Sequence, residues 1–406
     1  MESNQSGYET SFVQTAIDSF LGPFTESYIF VTKDARKNNW EKICQAMEHQ
    51  ACKQFLAPID IPDGKNQSEI WDIFAKLTSC IETGDVVVVD VTHSFRSIPI
   101  LTLACIQYMR SLESVQLERI VYGAWEAREP YEERYEDYST PPEAPIFDLT
   151  PFVELMDWSH AISEFTKYGQ IEPLKDLVKK DGNTLLMDKK LRKNLSTVVD
   201  QMTKLQNEIL TCRGKPISNG KCLETIIPNI KILKKNDQAL PRAFQPLLEK
   251  LESKLIELAG PADINVSDEV RRGFGAVSWC LSHGLIQQAY TIFQESLITH
   301  FCKLAEIDCL NKKRRALGAQ AAKTLRIDQT DWISPAKDNP DIIRDFHNKV
   351  DNRILDLFER LSTNRNDINH ADITSANSPE NLTKKIAEVY ADILRIFSIN
   401  TGESSQ

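Results

Sequence analysis

DVVVVDVTHSFRSIPILTLACIQYM, running from Asp85 to Met109, decides the fold. Val86 to Val89 with Val91 lacks the alternation of a half-exposed strand, so it predicts a central strand buried on both faces, as in parallel sheets. Polar Thr92, His93, Ser94 and Arg96 follow at once. Ser97 and Pro99 then open a helix whose apolar residues, Ile100, Leu103 and Ala104, recur at helical spacing. A strand, a polar turn and a helix place the turn off the carboxyl end of a strand, where helix N–H groups meet anions. The residues alone leave two readings open: a phosphate or nucleotide contact, or a plain capped connection with Arg96 as a solvated charge.

Around this unit, strand and helix signals alternate. Tyr28 to Thr32 predicts a strand, Lys37 to Met47 a helix, Asn66 to Ile81 a helix with Ile70, Ile73, Phe74, Leu77 and Ile81 on one face, and Arg119 to Trp125 a strand. Repeated βα pairs predict a parallel Rossmann-like sheet. No G-x-G-x-x-G follows any strand, which excludes the usual dinucleotide fingerprint, and Gly22-Pro23 is only a turn. From about Leu155 strand signals fade and the chain reads as helical to its end.

At 406 residues the chain is too long for one ordinary core. Its net charge of −10 is unevenly spread. Lys and Arg against Asp and Glu number 12 to 24 over residues 1–150, 18 to 14 over 151–260 and 18 to 20 over 261–406, giving −12, +4 and −2. An acidic first part argues for a small anionic ligand held by a few local donors rather than a duplex drawn by a long-range field. Much of that acidity falls in Glu126 to Glu143, which reads as an exposed loop. The nine cysteines form no C-x-x-C pair and read as reduced core residues of a cytosolic protein. With no apolar run of membrane length and no signal-like N-terminus, a cytoplasmic location without membrane contact is expected.

The middle stretch carries basic clusters: Lys179-Lys180, Lys189-Lys190 with Arg192-Lys193, and Lys234-Lys235. Solvated faces of linking helices explain them better than an RNA-guiding surface or a DNA-binding helix-turn-helix. No aromatic residues interleave to stack bases, and no recognition helix is evident. Further on, Leu285 to Phe301 predicts an amphipathic helix with Ile286, Ala289, Phe293, Leu297 and Phe301 inward. Asp341 to Leu361 predicts another, and Ser378-Pro379 opens a last helix through Ile396. Between the last two lies Arg365-Asn366-Asp367-Ile368-Asn369-His370.

Two resemblances join these pieces. D-V-T-H-S-F-R-S-I-P resembles the signature of CRISPR-associated Rossmann-fold (CARF) domains, and IVYGAWEA (Ile120 to Ala127) and PIFDLTPFVELMDWSHAI (Pro145 to Ile162) resemble the same family in the same order. Together they cover roughly the first 165 residues. Domains of this type usually begin with a strand ending in a Gly-rich turn, whereas Tyr8 to Ala16 here resembles the helix start after that turn. Either the given sequence starts downstream of that strand or this part of the sheet is built differently. R-x4-H in the last third of a helical region, after a CARF-like domain and with a polar Asn after the Arg, resembles the motif of HEPN ribonucleases.

The resemblance implies a CARF-HEPN ribonuclease of type III CRISPR defence: an α/β Rossmann-like CARF domain over 1–155, a helical linking region over 156–260 and an all-α HEPN domain over 261–406. Cyclic oligoadenylate, held by Thr92, His93, Ser94, Phe95 and Arg96, would switch on cleavage of single-stranded RNA in a homodimer or higher oligomer. RNA carries its own nucleophile in the 2′-hydroxyl, so a proton carrier and a cation for the phosphorane suffice, without metal or cofactor, and a 2′,3′-cyclic phosphate results. Arg365 is assigned transition-state charge, His370 acid/base work and Asn366 their orientation. Glu295 is read as solvated, with support of the arginine as the other option. His49, His160, His283, His300 and His347 are read as core or surface residues. On one straight helix Arg365 and His370 point about 140° apart, so two chains about a two-fold axis are expected to share one cleft. The alternatives are a CARF transcription regulator using the basic middle segment on DNA, and an enzyme degrading the cyclic nucleotide with its HEPN half as scaffold.

Overall fold

The computed structural model describes residues 7–48, 56–93, 98–112, 115–128, 143–179, 189–235, 242–370 and 377–399. The chain divides into two compact units, residues 1–153 and 154–406.

The first unit runs α1 (Val13–Leu21), β1 (Ser27–Val31), α2 (Lys33–Ala46), β2 (Leu56–Asp60), α3 (Gln67–Ser79), β3 (Asp85–Asp90), α4 (Ile98–Ser111), β4 (Val115–Gly123) and β5 (Ile146–Asp148). Strand and helix alternate as the periodicity predicts, but the sheet is not continuous. β1 pairs parallel with β2 in one sheet, and β3-β4-β5 form another, with β3 parallel and β5 antiparallel to β4. The central-strand expectation for Val86 to Val91 is therefore corrected. Among the described residues β3 pairs only with β4, and Val86 is 60% exposed. Val87, Val89 and Val91 pack on Ile106, Leu117, Ile120 and Val153, so the strand buries one face despite its unbroken Val run.

Helices cover both faces of the β1-β2 pair. Ile29 packs with Ile43, Met47 and Phe12, while Phe30 packs against Ile73, Leu77 and Cys105 of α3 and α4. β2, which no sequence signal marked, carries Pro58. Pro removes a ladder donor and confines a strand to an edge, and β2 pairs only with β1.

α5 (Thr150–Tyr168) leads into the second unit, an all-helical body with α6 (Glu172–Lys179), α7 (Lys189–Leu210), α8 (Gly214–Asn219), α9 (Lys221–Lys234), α10 (Gln245–Ile256), α11 (Asp268–Ser282), α12 (Ile286–Leu304), α13 (Lys312–Thr324), α14 (Pro340–Lys349), α15 (Asn352–His370) and α16 (Pro379–Ile399). One apolar core runs from Trp158 to Phe397, so residues 156–260 and 261–399 share it. Phe274 on α11 meets Phe293 on α12 edge-on at 5.4 Å, and Phe301 on α12 meets Phe358 on α15 at 5.4 Å. Buried tyrosines satisfy their hydroxyls on backbone carbonyls: Tyr390 donates to Phe274 O at 3.0 Å and Tyr290 to Leu382 O at 2.8 Å.

The single helix expected over Asp341 to Leu361 is corrected to two. Val350 is extended (φ −100°, ψ 132°), and Asp351 accepts from Arg353 N at 2.8 Å to start α15 afresh.

Gly275 decides how closely α11 approaches the turn after α10. A Cβ there would lie 2.4 Å from Leu258 O and 2.6 Å from Gly260 N. Ala is the better helix former by about 1 kcal/mol, yet Gly275→Ala is expected to destabilise the protein by about 1–3 kcal/mol, because backbone rather than a flexible side chain must move. Urea denaturation at matched slope checks the sign; a rise in midpoint would refute it.

Candidate functional site

The turn after β3 is built on Asp90. Its Oδ1 accepts from Thr92 N at 2.9 Å and from the Thr92 hydroxyl, which in turn accepts from Gly123 N at 2.7 Å; its Oδ2 accepts from Gln14 Nε2 at 3.1 Å. This links the ends of β3 and β4 to α1. Gly123 is required there, since a Cβ would sit 2.7 Å from Val13 Cγ2 and 3.3 Å from Thr92 Oγ1. Thr92 therefore spends its donor on Asp90 and shapes the turn, while His93 is exposed at its tip. Ser94, Phe95 and Arg96 lie outside the described residues.

Sequence reasoning missed Asp90 as the organiser of this turn, although D-x-T is a common local capping pattern. It also passed over Trp125, which follows β4, is 57% exposed and carries the Arg128 guanidinium 4.7 Å above its ring. An exposed aromatic face beside such a turn can stack a base.

The second candidate site is the end of α15, where Arg365 to His370 form the last turns. Both residues are helical, separated by about 7.5 Å of rise and 140° of rotation. Arg365 is half-buried, whereas Asn366 and His370 are exposed. Arg365 Nη1 donates to Asn366 Oδ1 at 3.4 Å, and its buried Nε has no hydrogen-bond partner among the described residues. The charge of Arg365 is felt at Cys212, past the end of α7. Burial pushes that thiol up, and hydrogen bonding with Thr291 and the charges of Arg213 and Arg365 oppose the shift.

Five hydrogen bonds fix the surroundings. Gln287 on α12 donates to Asn369 Oδ1 at 3.3 Å, and Gln288 donates to Leu210 O at 3.4 Å. Asp367 Oδ2 accepts from Asn377 N at 3.0 Å and Asn377 Nδ2 at 2.6 Å, while Lys385 Nζ donates to Asn377 Oδ1 at 2.7 Å, tying α15 to the start of α16. Burial and the nearby Asp367 push the Tyr290 hydroxyl up to about 12. Glu295 does not serve Arg365. Its Oε2 alone accepts from both Arg315 Nε at 3.1 Å and Nη2 at 2.9 Å, and its backbone carbonyl accepts from Nη2 at 2.6 Å.

Among the other histidines, His160 is exposed, His283 stacks on Trp279 at 4.0 Å, and His347 bonds Ala321 O at 2.7 Å. His49 lies outside the described residues. His300 is buried against Phe397.

No family model matches the chain. The chain is similar to a CRISPR-associated protein. That relative, CRISPR-associated protein MJ1674 of Methanocaldococcus jannaschii, is 24% identical over 339 residues. The match covers 81% of this chain and 45% of that protein, so the chain spans about half the length of its relative.

Two predictions follow from these environments. Thr92→Val removes the hydroxyl that joins Asp90 to Gly123 and is expected to cost about 1–3 kcal/mol, read as a lower denaturation midpoint; an unchanged midpoint would show the turn to be dispensable. Burial lowers the His300 pKa from 6.5 to about 4. The unfolded chain then binds the extra proton between those values, so this part of the stability is complete above pH 6.5 and is lost as pH falls towards 4. The swing is of order 3 kcal/mol. His300→Leu should flatten the pH dependence of stability in that window, and an unaltered slope would contradict the assignment.

Proposed function

We propose that the chain is a cyclic oligoadenylate-activated, metal-independent endoribonuclease of type III CRISPR defence. The observation that carries this reading is the placement of Arg365, Asn366 and His370 on the last turns of one helix, in an all-helical unit that follows an α/β unit. The likeness to a CRISPR-associated protein supports a role in that defence.

In this reading the β3 turn takes the activator, with His93 and Arg96 on its phosphates, Phe95 and Ser94 beside them, and Thr92 holding the turn. His370 takes the proton from a ribose 2′-hydroxyl, or returns one to the leaving 5′-oxygen. The attacking oxygen bonds to the adjacent phosphorus, the P–O5′ bond breaks, and a 2′,3′-cyclic phosphate and a 5′-hydroxyl result. Arg365 balances the charge that builds on the phosphorane, in a half-buried setting where that charge counts for more than in water. Asn366, already bonded to Arg365, keeps the guanidinium oriented.

The 140° divergence along α15 favours a cleft shared by two chains over a site within one. A ligand on the symmetry axis activates only if it prefers the arrangement that aligns both copies; a shift from mostly off to mostly on needs about 5 kcal/mol of differential affinity.

The test is incubation of the protein with labelled RNA in a chelator, adding each cyclic oligoadenylate in turn. One ring size should trigger cleavage, His370→Ala should lower the rate about 10²–10⁴-fold, and Arg365→Ala about 10²–10³-fold. Activator affinity should stay parental in both. Cleavage that persists in both variants would overturn the reading. Hybrids of one parental and one His370→Ala chain should be impaired beyond half the parental rate if the cleft is shared; half the rate with otherwise parental kinetics would mean independent sites.

A further inference from the structure

The three basic clusters of the middle stretch have different fates in the fold. Lys234 is paired with Glu252 at 2.7 Å and is spent on holding α9 to α10. Lys179 from the end of α6 and Lys189, Arg192 and Lys193 from the start of α7 converge instead on one cavity of about 420 Å³, with Ser196 and Thr197 in its wall. No Asp or Glu is among its described lining residues. The nearest acid along α7, Asp200, accepts from Ser196 at 3.4 Å, one turn further on. Lys179, Lys189 and Lys193 make no ion pair among the described residues. Cations at a helix start also oppose the helix dipole, at about 0.3–1 kcal/mol each, so an anion in the cavity relieves both repulsions.

The position of α7 says what that anion is. Its apolar stripe, Leu191, Leu195, Val198, Met202, Leu205 and Ile209, locks it into the core. Its far end lies near the candidate catalytic segment, because the neighbouring Gln288 and Gln287 on α12 grip Leu210 O and Asn369 Oδ1 respectively. From Lys189 to Leu210 the helix spans about 31 Å, the length of about nine nucleotides at a stacked rise of ~3.4 Å.

We propose that the α6–α7 cavity is a second RNA site, holding backbone phosphates of single-stranded RNA up to about nine nucleotides from the bond over Arg365. The identity of the ligand rests on the proposed ribonuclease reading; the cavity does not. Cleavage and remote grip are thereby separated by one rigid helix, which makes the enzyme favour long strands over short ones.

The test uses the whole protein and fluorescein-labelled 2′-O-methyl RNA, which lacks the nucleophile, so that binding is read without cleavage. Lys189→Ala with Lys193→Ala removes two phosphate partners and should reduce the slope of log affinity against log salt by about 1.4 for a 14-nucleotide strand. The parental affinity then falls roughly sevenfold more than the variant's between 50 and 200 mM salt. The Lys189→Arg, Lys193→Arg protein should restore the parental slope. Parental slope and affinity in the Ala variant would overturn the site, even where the protein cleaves RNA. Salt-dependent binding that needs these lysines would uphold it where the protein fails to cleave. Tighter binding of duplex DNA than of RNA of equal length would overturn the assigned ligand.

Discussion

The packing of α12 against its neighbours is the constraint on which the helical unit depends. Phe293 seats it on α11 and Phe301 on α15, so the helix is gripped from both sides by aromatic contacts of about the same spacing. Polar groups on its first turn then reach what the aromatics bring within range: Gln287 to the end of α15 and Gln288 to the end of α7. The position of Arg365 is thus set by the rigidity of the helices around it, and its long bond to Asn366 adds only the orientation of the guanidinium. A guanidinium whose buried Nε meets no hydrogen-bond partner among the described residues is tolerable in a setting that something else holds in place.

The first unit solves a similar problem with polar chemistry. Its cores are small and separate, and Asp90 supplies the connection that apolar area does not. One carboxylate holds a backbone amide, a hydroxyl and a side-chain amide from two different elements. The result is a turn whose shape is fixed from beneath and whose tip, at His93, faces outward.

How far the sequence was readable depended on the range of the forces involved. α3 and α12 were legible because helical periodicity is a local signal, and α4 and α16 also because Ser and Pro stand at their starts. β2 was not, because Pro58 argues against a strand until a neighbour makes it an edge. The Val run misled for the same reason: Val86 to Val91 has the composition of a strand buried twice over, but whether a second sheet neighbour exists is not written in β3 itself. The break at Val350 was hidden inside a good amphipathic pattern, with Asp351 as the cue that was passed over. At the sites, the types Arg365 and His370 and the spacing between them were readable, and so was the Thr92 turn. The partners around them, Gln287 beside the end of α15 and Gly123 for Thr92, stand far off in the chain and only folding brings them near.

The split sheet has a consequence for how this molecule behaves as a solute. Among the described residues β1, β2, β3 and β5 each pair on a single side, leaving rows of backbone donors and acceptors that no described strand pairs. Such rows are complementary to any extended chain that drifts past, and Val86 adds an apolar lure beside one of them. Concentration therefore matters to the α/β unit in a way it does not to the helical one, whose backbone is satisfied within its own helices: crowding raises the encounter rate of open edges, and the acidity of the first 150 residues, by mutual repulsion, is the force that keeps such edges apart.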